Sequence, residues 1–173
     1  MLLPVDVYVL TGSVACGEIR PTLRELAAYL ALPDHSVVQR SLARAREADL
    51  IDGRGDVRRP ALEELCVHAL RYLAPARLGP LTAGVPAAWA AEPMNRLIRS
   101  SGGDPPPVWP SATGPVRGQE LPPLHPACVE ASAAHPEVAR LLCLVDSLRA
   151  GDVRVRSVAA HELRDALAAG RGA

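Results

Sequence analysis

Proline placement limits how this chain can fold, because proline lacks a backbone N–H and disrupts helix interiors. Thirteen of the 17 prolines lie between Pro75 and Pro136, and few lie on either side. We therefore expect a mainly α chain with a small β component, divided into three parts. These are a helical domain at 1–75, a Pro/Gly-rich arm at 76–130 that could form a β-hairpin, and a C-terminal helical hairpin at 131–173 that docks or dimerises.

Residues 22–48 carry the signals of two short helices joined by a tight turn. Thr22 and Glu25 have the spacing of a capping box, in which each side chain bonds the backbone N–H of the other residue. Pro33 prevents the first helix from continuing, and Asp34 is a suitable N-cap for the second. Apolar residues recur at helical spacing in both segments. They are Leu23, Leu26, Ala27 and Leu30 in the first, and Val38, Leu42 and Ala45 in the second.

The segment 3–16 fits two patterns. Val5, Val7 and Val9 alternate as in a strand, whereas Val5, Tyr8 and Val9 also share one face of a helix. We favour a helix, because the two helices at 22–48 need an apolar element to pack against.

A short β-hairpin is expected directly after the second helix. Leu50-Ile51 begins an apolar strand, Gly53 to Asp56 has the composition of a turn, and Val57 to Arg59 forms the returning strand. Pro60 then suits the first position of a further amphipathic helix of about 14 residues. Two helices joined by a turn form a helix-turn-helix unit. A hairpin directly after the second helix is the wing of a winged helix.

Residues 20–60 resemble the winged helix-turn-helix domains of bacterial transcription regulators of the MarR and ArsR type. The matching stretch is TLRELAAYLALPDHSVVQRSLARAREADLI followed by DGRGDVRR. In that family the second helix enters the DNA major groove, so the resemblance implies a DNA-binding regulator. The family usually has glycine where this chain has Asp49, and aspartate also tolerates the left-handed backbone conformation.

Burial of Val38 and Leu42 would leave a polar side of the second helix facing outward. Gln39 there could bond adenine and Arg40 could bond guanine or a phosphate, while the arginines of the hairpin suit phosphate or minor-groove contact. A solvated helix face and an arginine-rich loop are the structural alternative. The candidate DNA-binding residues are His35, Ser36, Gln39, Arg40, Arg44, Arg54, Arg58 and Arg59.

The formal net charge of zero excludes a strongly basic nucleic-acid coat, so a DNA-binding surface requires local separation of charge. One recognition helix and one wing supply few contacts, and we therefore expect a homodimer on double-stranded DNA. An adaptor that uses the same fold to bind a protein partner is the alternative function, and a small-molecule sensor is a third. No nucleotide-binding loop or nucleophile motif suggests an enzyme or a cofactor.

The four cysteines are far apart and form no C-x-x-C pair, which favours buried free thiols over a metal site or disulfides. His125 and His135 are weak candidates for metal ligands. The N-terminal segment lacks a basic region before its apolar run, and no apolar stretch approaches about 18 residues. We expect a soluble, cytoplasmic protein without membrane contact.

Two further clusters admit both a structural and a functional interpretation. His68, Arg71 and Tyr72 share one side of a helix, where they could anchor the proline-rich segment or bind a ligand or partner. A group of arginines near the turn of the C-terminal hairpin could lie in solvent or contact phosphate. These are Arg149, Arg154 and Arg156.

Overall fold

The computed structural model describes residues 1–17, 20–98 and 103–169 and shows an α+β chain with a small three-stranded sheet. The elements of the first half are α1 (Pro4–Ala15), α2 (Leu23–Tyr29), α3 (His35–Glu47), α4 (Arg59–Glu64), a π-helical turn (Leu65–Ala69), α5 (Leu70–Leu73), β1 (Leu81–Pro86) and a 3₁₀ turn (Ala88–Ala90). Those of the second half are α6 (Met94–Leu97), β2 (Pro107–Pro110), β3 (Val116–Glu120), α7 (Cys128–Ala134), α8 (Pro136–Ala150) and α9 (Val153–Ala169).

The predicted ends of α2 and α3 are confirmed. The Glu25 backbone N–H donates to Thr22 Oγ1 at 3.3 Å, and the Thr22 N–H donates to Glu25 Oε2 at 2.7 Å, which completes the capping box. The Ser36 N–H donates to Asp34 Oδ1 at 2.8 Å, as expected of an N-cap. Asp49 follows α3 with φ of 55°, so aspartate does adopt the left-handed conformation there.

The segment 3–16 is helical, as favoured, and α1 lies between α3 and α8. Tyr8 is fully buried, and its hydroxyl donates to the Leu30 carbonyl oxygen at 2.7 Å, joining α1 to the end of α2. Residues from all three predicted parts of the chain contribute to one hydrophobic core. The first three helices therefore hold their relative positions through this shared core.

The predicted hairpin after α3 is shorter than expected. Ile51 and Val57 form a single antiparallel bridge, supported by a hydrogen bond from the Arg58 N–H to the Leu50 carbonyl at 2.8 Å. Pro60 cannot donate to a ladder, and helix α4 already begins at Arg59, one residue before the proline. The returning strand thus ends after two residues.

The β-hairpin considered for the 76–130 arm, with 107–110 and 116–121 as its strands, does not form. Strands β2 and β3 pair in parallel, with Pro107 opposite Gln119, and both run antiparallel to β1. The chain reverses between them by passing over β1, so that Gly114 lies directly against the backbone of Gly84. The proline-rich segment therefore forms a closed three-stranded unit in place of a hairpin or an extended arm.

The C-terminal helical hairpin is confirmed, and it docks on the N-terminal helices. Helix α9 packs on α4, while α8 contacts α1, α5 and α7. Every residue of α8 from 141 to 149 is buried, as is typical of a helix surrounded by protein. Arg149 is among them, so the predicted basic surface cluster does not form. Arg156 bonds the Gly151 carbonyl oxygen, and Arg154 is exposed.

Cys66, Cys128 and Cys143 are buried free thiols, as expected, and Cys16 is half-buried. Burial raises the pKa of each of the three buried thiols to about 12. Thiolate chemistry is therefore suppressed at these positions. Within the described ranges, no helix combines the length and apolar character that crossing a lipid bilayer requires.

Candidate functional site

Helix α3 exposes one mainly polar side, which also includes Ala43 and Glu47. His35, Gln39 and Arg40 are exposed, Ser36 is half-buried, and the exposed positions together cover an arc of about 140° at the 100° rotation per residue of an α-helix. The opposite side packs against the protein through Val38, Ser41 and Ala45. Most of the predicted recognition surface is thus accessible along its length.

Leu42 was expected in the core but is half-buried, and Ser41 takes the buried position. Leu42 instead borders a cleft between α3 and the 51–57 loop. Ser41 fits the core position because its hydroxyl accepts a hydrogen bond from Arg44 at 3.4 Å.

The 51–57 loop holds Arg54 at an exposed tip. Asp52 Oδ1 accepts hydrogen bonds from the backbone N–H groups of Arg54 and Asp56, each at 2.9 Å, and Gly55 follows with φ of 88°. These bonds lower the pKa of Asp52, beginning with the one from Asp56. The Asp52 side chain therefore fixes the loop backbone that presents Arg54.

Arg44 does not lie on the outward side as predicted. Its Nε and one terminal nitrogen donate to the two carboxylate oxygens of Asp6 at 2.8 and 2.5 Å, and Asp6 is fully buried. A buried carboxylate needs such a partner, so Arg44 turns toward α1. It joins α3 to α1 and is not available to a phosphate.

Two of the arginines predicted for the wing are also bound to the protein. Arg58 donates to the Asp49 carbonyl oxygen at 2.9 Å, which caps the end of α3. Arg59 donates to the Leu167 carbonyl oxygen at 3.0 Å, near the end of α9. Arg58 stays exposed and Arg59 is half-buried, so both have a structural task that the sequence did not indicate.

Arg46 is a surface residue that the sequence interpretation omitted. It is exposed on α3, seven positions after Gln39, and the helical spacing i, i+7 places the two on the same side. Arg20 was also missed, and its guanidinium pairs with Asp56 in the 51–57 loop. The i, i+7 spacing could have revealed Arg46, whereas the Arg20–Asp56 pair has no local signal.

Charge on this surface is arranged unevenly. Within the described ranges, the guanidinium groups of Arg40, Arg46 and Arg54 form no ion pair or side-chain hydrogen bond. Asp34 lies at the N-terminus of α3, where the backbone hydrogen bond from Ser36 holds its pKa below the usual value. Its charge would repel a phosphate at that end and partly offsets the charge of Arg40, so Arg46 and Arg54 are the more attractive positions.

The other predicted clusters take structural positions. His125 stacks on Tyr8 with ring centroids 5.8 Å apart, and His135 stacks on Tyr29 at 3.8 Å. In the part of the chain described, no group of three or more His, Cys, Asp or Glu side chains is arranged to hold a metal ion.

The cluster of His68, Arg71 and Tyr72 lies at the surface. The Arg71 guanidinium carbon lies 4.6 Å from the centroid of the Tyr72 ring, and that tyrosine is 70% exposed. This spacing is typical of a cation–π contact. The contact joins neighbouring side chains of the cluster.

A second cleft, of about 710 Å³, lies between the sheet and helices α7 and α8. Its walls are mainly apolar and include Trp109 and Val129, and the buried Ser132 hydroxyl on its lining has no hydrogen-bond partner within the described residues. The small-molecule sensor considered from the sequence would have its pocket between the predicted winged domain and the C-terminal part. This cleft is instead lined by the sheet region, α7 and α8.

Acidification should reveal how much the ionised Asp6 carboxylate contributes to the free energy of unfolding. Burial opposes its ionisation, but hydrogen bonds from Arg44, the Leu3 backbone N–H and Ser41 lower its pKa overall. The ionised form therefore adds stability that is complete above the unfolded-state pKa of about 3.9 and is lost as the pH falls through the lower folded-state pKa. We expect the difference in free energy of unfolding between the natural chain and Asp6→Asn to shrink below about pH 4. Urea unfolding from pH 7 to pH 2.5 measures it, and a constant difference would contradict the assignment.

Comparison of the chain with protein-family models, curated proteins and solved structures gave no match. The likeness of residues 20–60 to winged-helix regulators accordingly stays a prediction from the sequence.

Proposed function

We propose that this chain is a sequence-specific, double-stranded DNA-binding protein with a winged helix-turn-helix fold, which acts as a homodimeric transcription regulator. The exposed side of α3 beside the arginine-tipped 51–57 loop is the observation that carries the proposal. A helix with one buried and one polar side can enter the major groove, and a short loop next to it can reach the neighbouring backbone.

Four exposed residues have a role in this proposal. Gln39 and Arg40, in the first half of α3, would contact base edges, because early residues of a recognition helix reach deepest into the groove. Arg46 and Arg54 would contact phosphates and position the helix. Arg44 joins α3 to α1, Arg58 caps the end of α3 and Arg59 contacts the end of α9, so these three arginines support the surface.

Two copies of the surface are needed for tight binding. Specific protein–DNA complexes require roughly −11 to −15 kcal/mol. One helix with Gln39 and Arg40 at the bases and a few phosphate contacts supplies less than that. A two-fold symmetric dimer on a palindromic site doubles the contacts.

Selection of duplexes from a randomised library, followed by fluorescence anisotropy at several salt concentrations, tests the proposal. Arg40→Ala combined with Arg54→Ala should weaken binding by tenfold or more and make the salt dependence less steep. Gln39→Ala should relax the base preference at one position while the salt dependence stays the same. Arg154→Ala, on the exposed start of α9, is the matched control and should bind as the natural chain does.

Equal affinity of the double variant and the Arg154→Ala control would overturn the proposal. Absence of salt-sensitive binding to any duplex, together with co-purification of a stoichiometric protein partner, would favour the adaptor function.

A further inference from the structure

The cleft under the 51–57 loop concentrates positive charge. It lies between the end of α1, the start of α2, α3 and the loop, and has a volume of about 680 Å³. Four arginines and one acidic residue line it within the described part of the chain. The lining charges are those of Arg20, Arg46, Arg54, Arg59 and Asp56.

Part of this positive charge is unpaired within the described residues, although Asp52 in the loop interacts electrostatically with Arg54. Asp56 is paired with Arg20, and Arg59 uses one nitrogen on the neutral Leu167 carbonyl. Arg46 and Arg54 form no ion pair within the described residues. Guanidinium groups that face the same space repel each other unless an anion lies between them, and their planar N–H groups suit phosphate oxygens in particular.

The floor of the same cleft is apolar. Leu26 is almost completely buried there, Leu23 is 36% exposed, and Leu42 and Val57 are half-buried beside them. This volume is in the range of small-molecule sites. An apolar floor with arginines at the rim matches a ligand that has a flat ring at one end and several phosphates at the other.

We propose that this cleft binds a nucleoside polyphosphate, with its phosphates on Arg46 and Arg54 and its base against Leu23, Leu42 and Val57. Arg46 and Arg54 are also the residues assigned to DNA phosphates. Bound nucleotide and DNA therefore compete for them, and this second part of the inference rests on the proposed function.

Isothermal titration calorimetry with GTP and with inorganic tripolyphosphate, in 150 mM salt without divalent cations, tests the binding. Both probes carry a triphosphate, and GTP adds the ribose and the base. We expect saturable one-to-one binding of GTP that is at least tenfold tighter than that of tripolyphosphate, because the floor contacts only the base. Equal affinity of the two probes, or no saturable binding of GTP, overturns the inference.

Arginine variants locate the site. Arg46→Ala and Arg54→Ala should each weaken GTP binding by about ten- to a hundredfold, the effect of losing one hydrogen bond to a charged group. Arg154→Ala and Arg117→Ala, both exposed and outside the cleft, are matched controls and should bind GTP as the natural chain does. Equal loss in the controls would show general charge attraction and would overturn the site.

A competition experiment separates this inference from the proposed function. GTP should displace a selected duplex from the natural chain, whereas tripolyphosphate at the same concentration should do so less. Displacement by both to the same extent would mean that the cleft serves the DNA backbone alone and would overturn the nucleotide site. GTP binding in a chain that binds no duplex would overturn the proposed function and leave the nucleotide site supported.

Discussion

Replacing Arg149 by methionine is expected to lower the free energy of unfolding by about 3–5 kcal/mol, because it leaves a buried carboxylate without its cation. Arg149 and Asp146 are both buried, and their side chains pair at 2.5 Å. Arg149 also donates to the carbonyl oxygens of Ala74 at 2.9 Å and Pro122 at 3.3 Å. Trp109 Nε1 donates to the other oxygen of Asp146 at 2.7 Å. The network therefore ties α8 to the end of α5, to β2 and to the segment after β3.

Urea unfolding at pH 7 measures this loss. In the double variant Asp146→Leu/Arg149→Met the buried charge is gone, so the double variant should be less destabilised than the sum of the two single changes. A loss below about 1 kcal/mol in Arg149→Met would contradict the network's importance.

The pH dependence of Arg149→Met provides a second measurement. Burial raises the pKa of Asp146, and the charge of Arg149, with hydrogen bonds from Trp109 and Arg149, opposes that rise. Without Arg149 the folded-state pKa rises further above the unfolded-state value. The penalty for the ionised carboxylate then applies above the folded-state pKa and diminishes as the pH falls through it. The variant should thus approach the stability of the natural chain at acidic pH.

Gly118→Ala is the second change for which we expect a large effect, a loss of about 3 kcal/mol in the free energy of unfolding. A Cβ atom at Gly118 would lie 2.1 Å from the Pro106 carbonyl oxygen and 2.7 Å from Val108 Cγ1. The same carbonyl accepts the Gln119 N–H at 2.8 Å, so the backbone cannot move without breaking the bond that joins β3 to the residue before β2.

Thermal unfolding followed by circular dichroism measures the effect, and a decrease in Tm of roughly 6–12 °C corresponds to it. Gly53→Ala is the matched control, because nothing lies within 4 Å of its Cβ position. The control should change stability by less than about 0.5 kcal/mol. Similar Tm values for the two variants would contradict the close approach of β2 and β3.

Local signals predicted the parts of the fold that local interactions determine. Thr22, Pro33 and Asp34 act on residues within one helical turn, so the ends of α2 and α3 could be located from the sequence alone. The strand pairing could not be predicted, because β2 and β3 pair in parallel with each other while both pair antiparallel with β1. Strand β1 itself contains Gly84 and Pro86. Neither residue is typical of a strand.

In the candidate site, too, local signals located some residues and missed those that depend on distant partners. His35, Gln39 and Arg40 were found because helical spacing separates exposed from buried positions. Arg44 has a similar spacing but bonds Asp6, 38 positions earlier in the chain, and Arg59 bonds Leu167, 108 positions later. No pattern within α3 or the loop contains those partners, so the sequence overestimated how many arginines are available to a ligand.

The enclosed position of α8 has a consequence for biosynthesis. A ribosome makes residues 1–135 before it reaches this helix, yet α1 and α5 need α8 to cover their apolar sides. The nascent N-terminal segment therefore keeps part of its apolar surface uncovered, and the N-terminal half completes its fold only after α8 has left the exit tunnel.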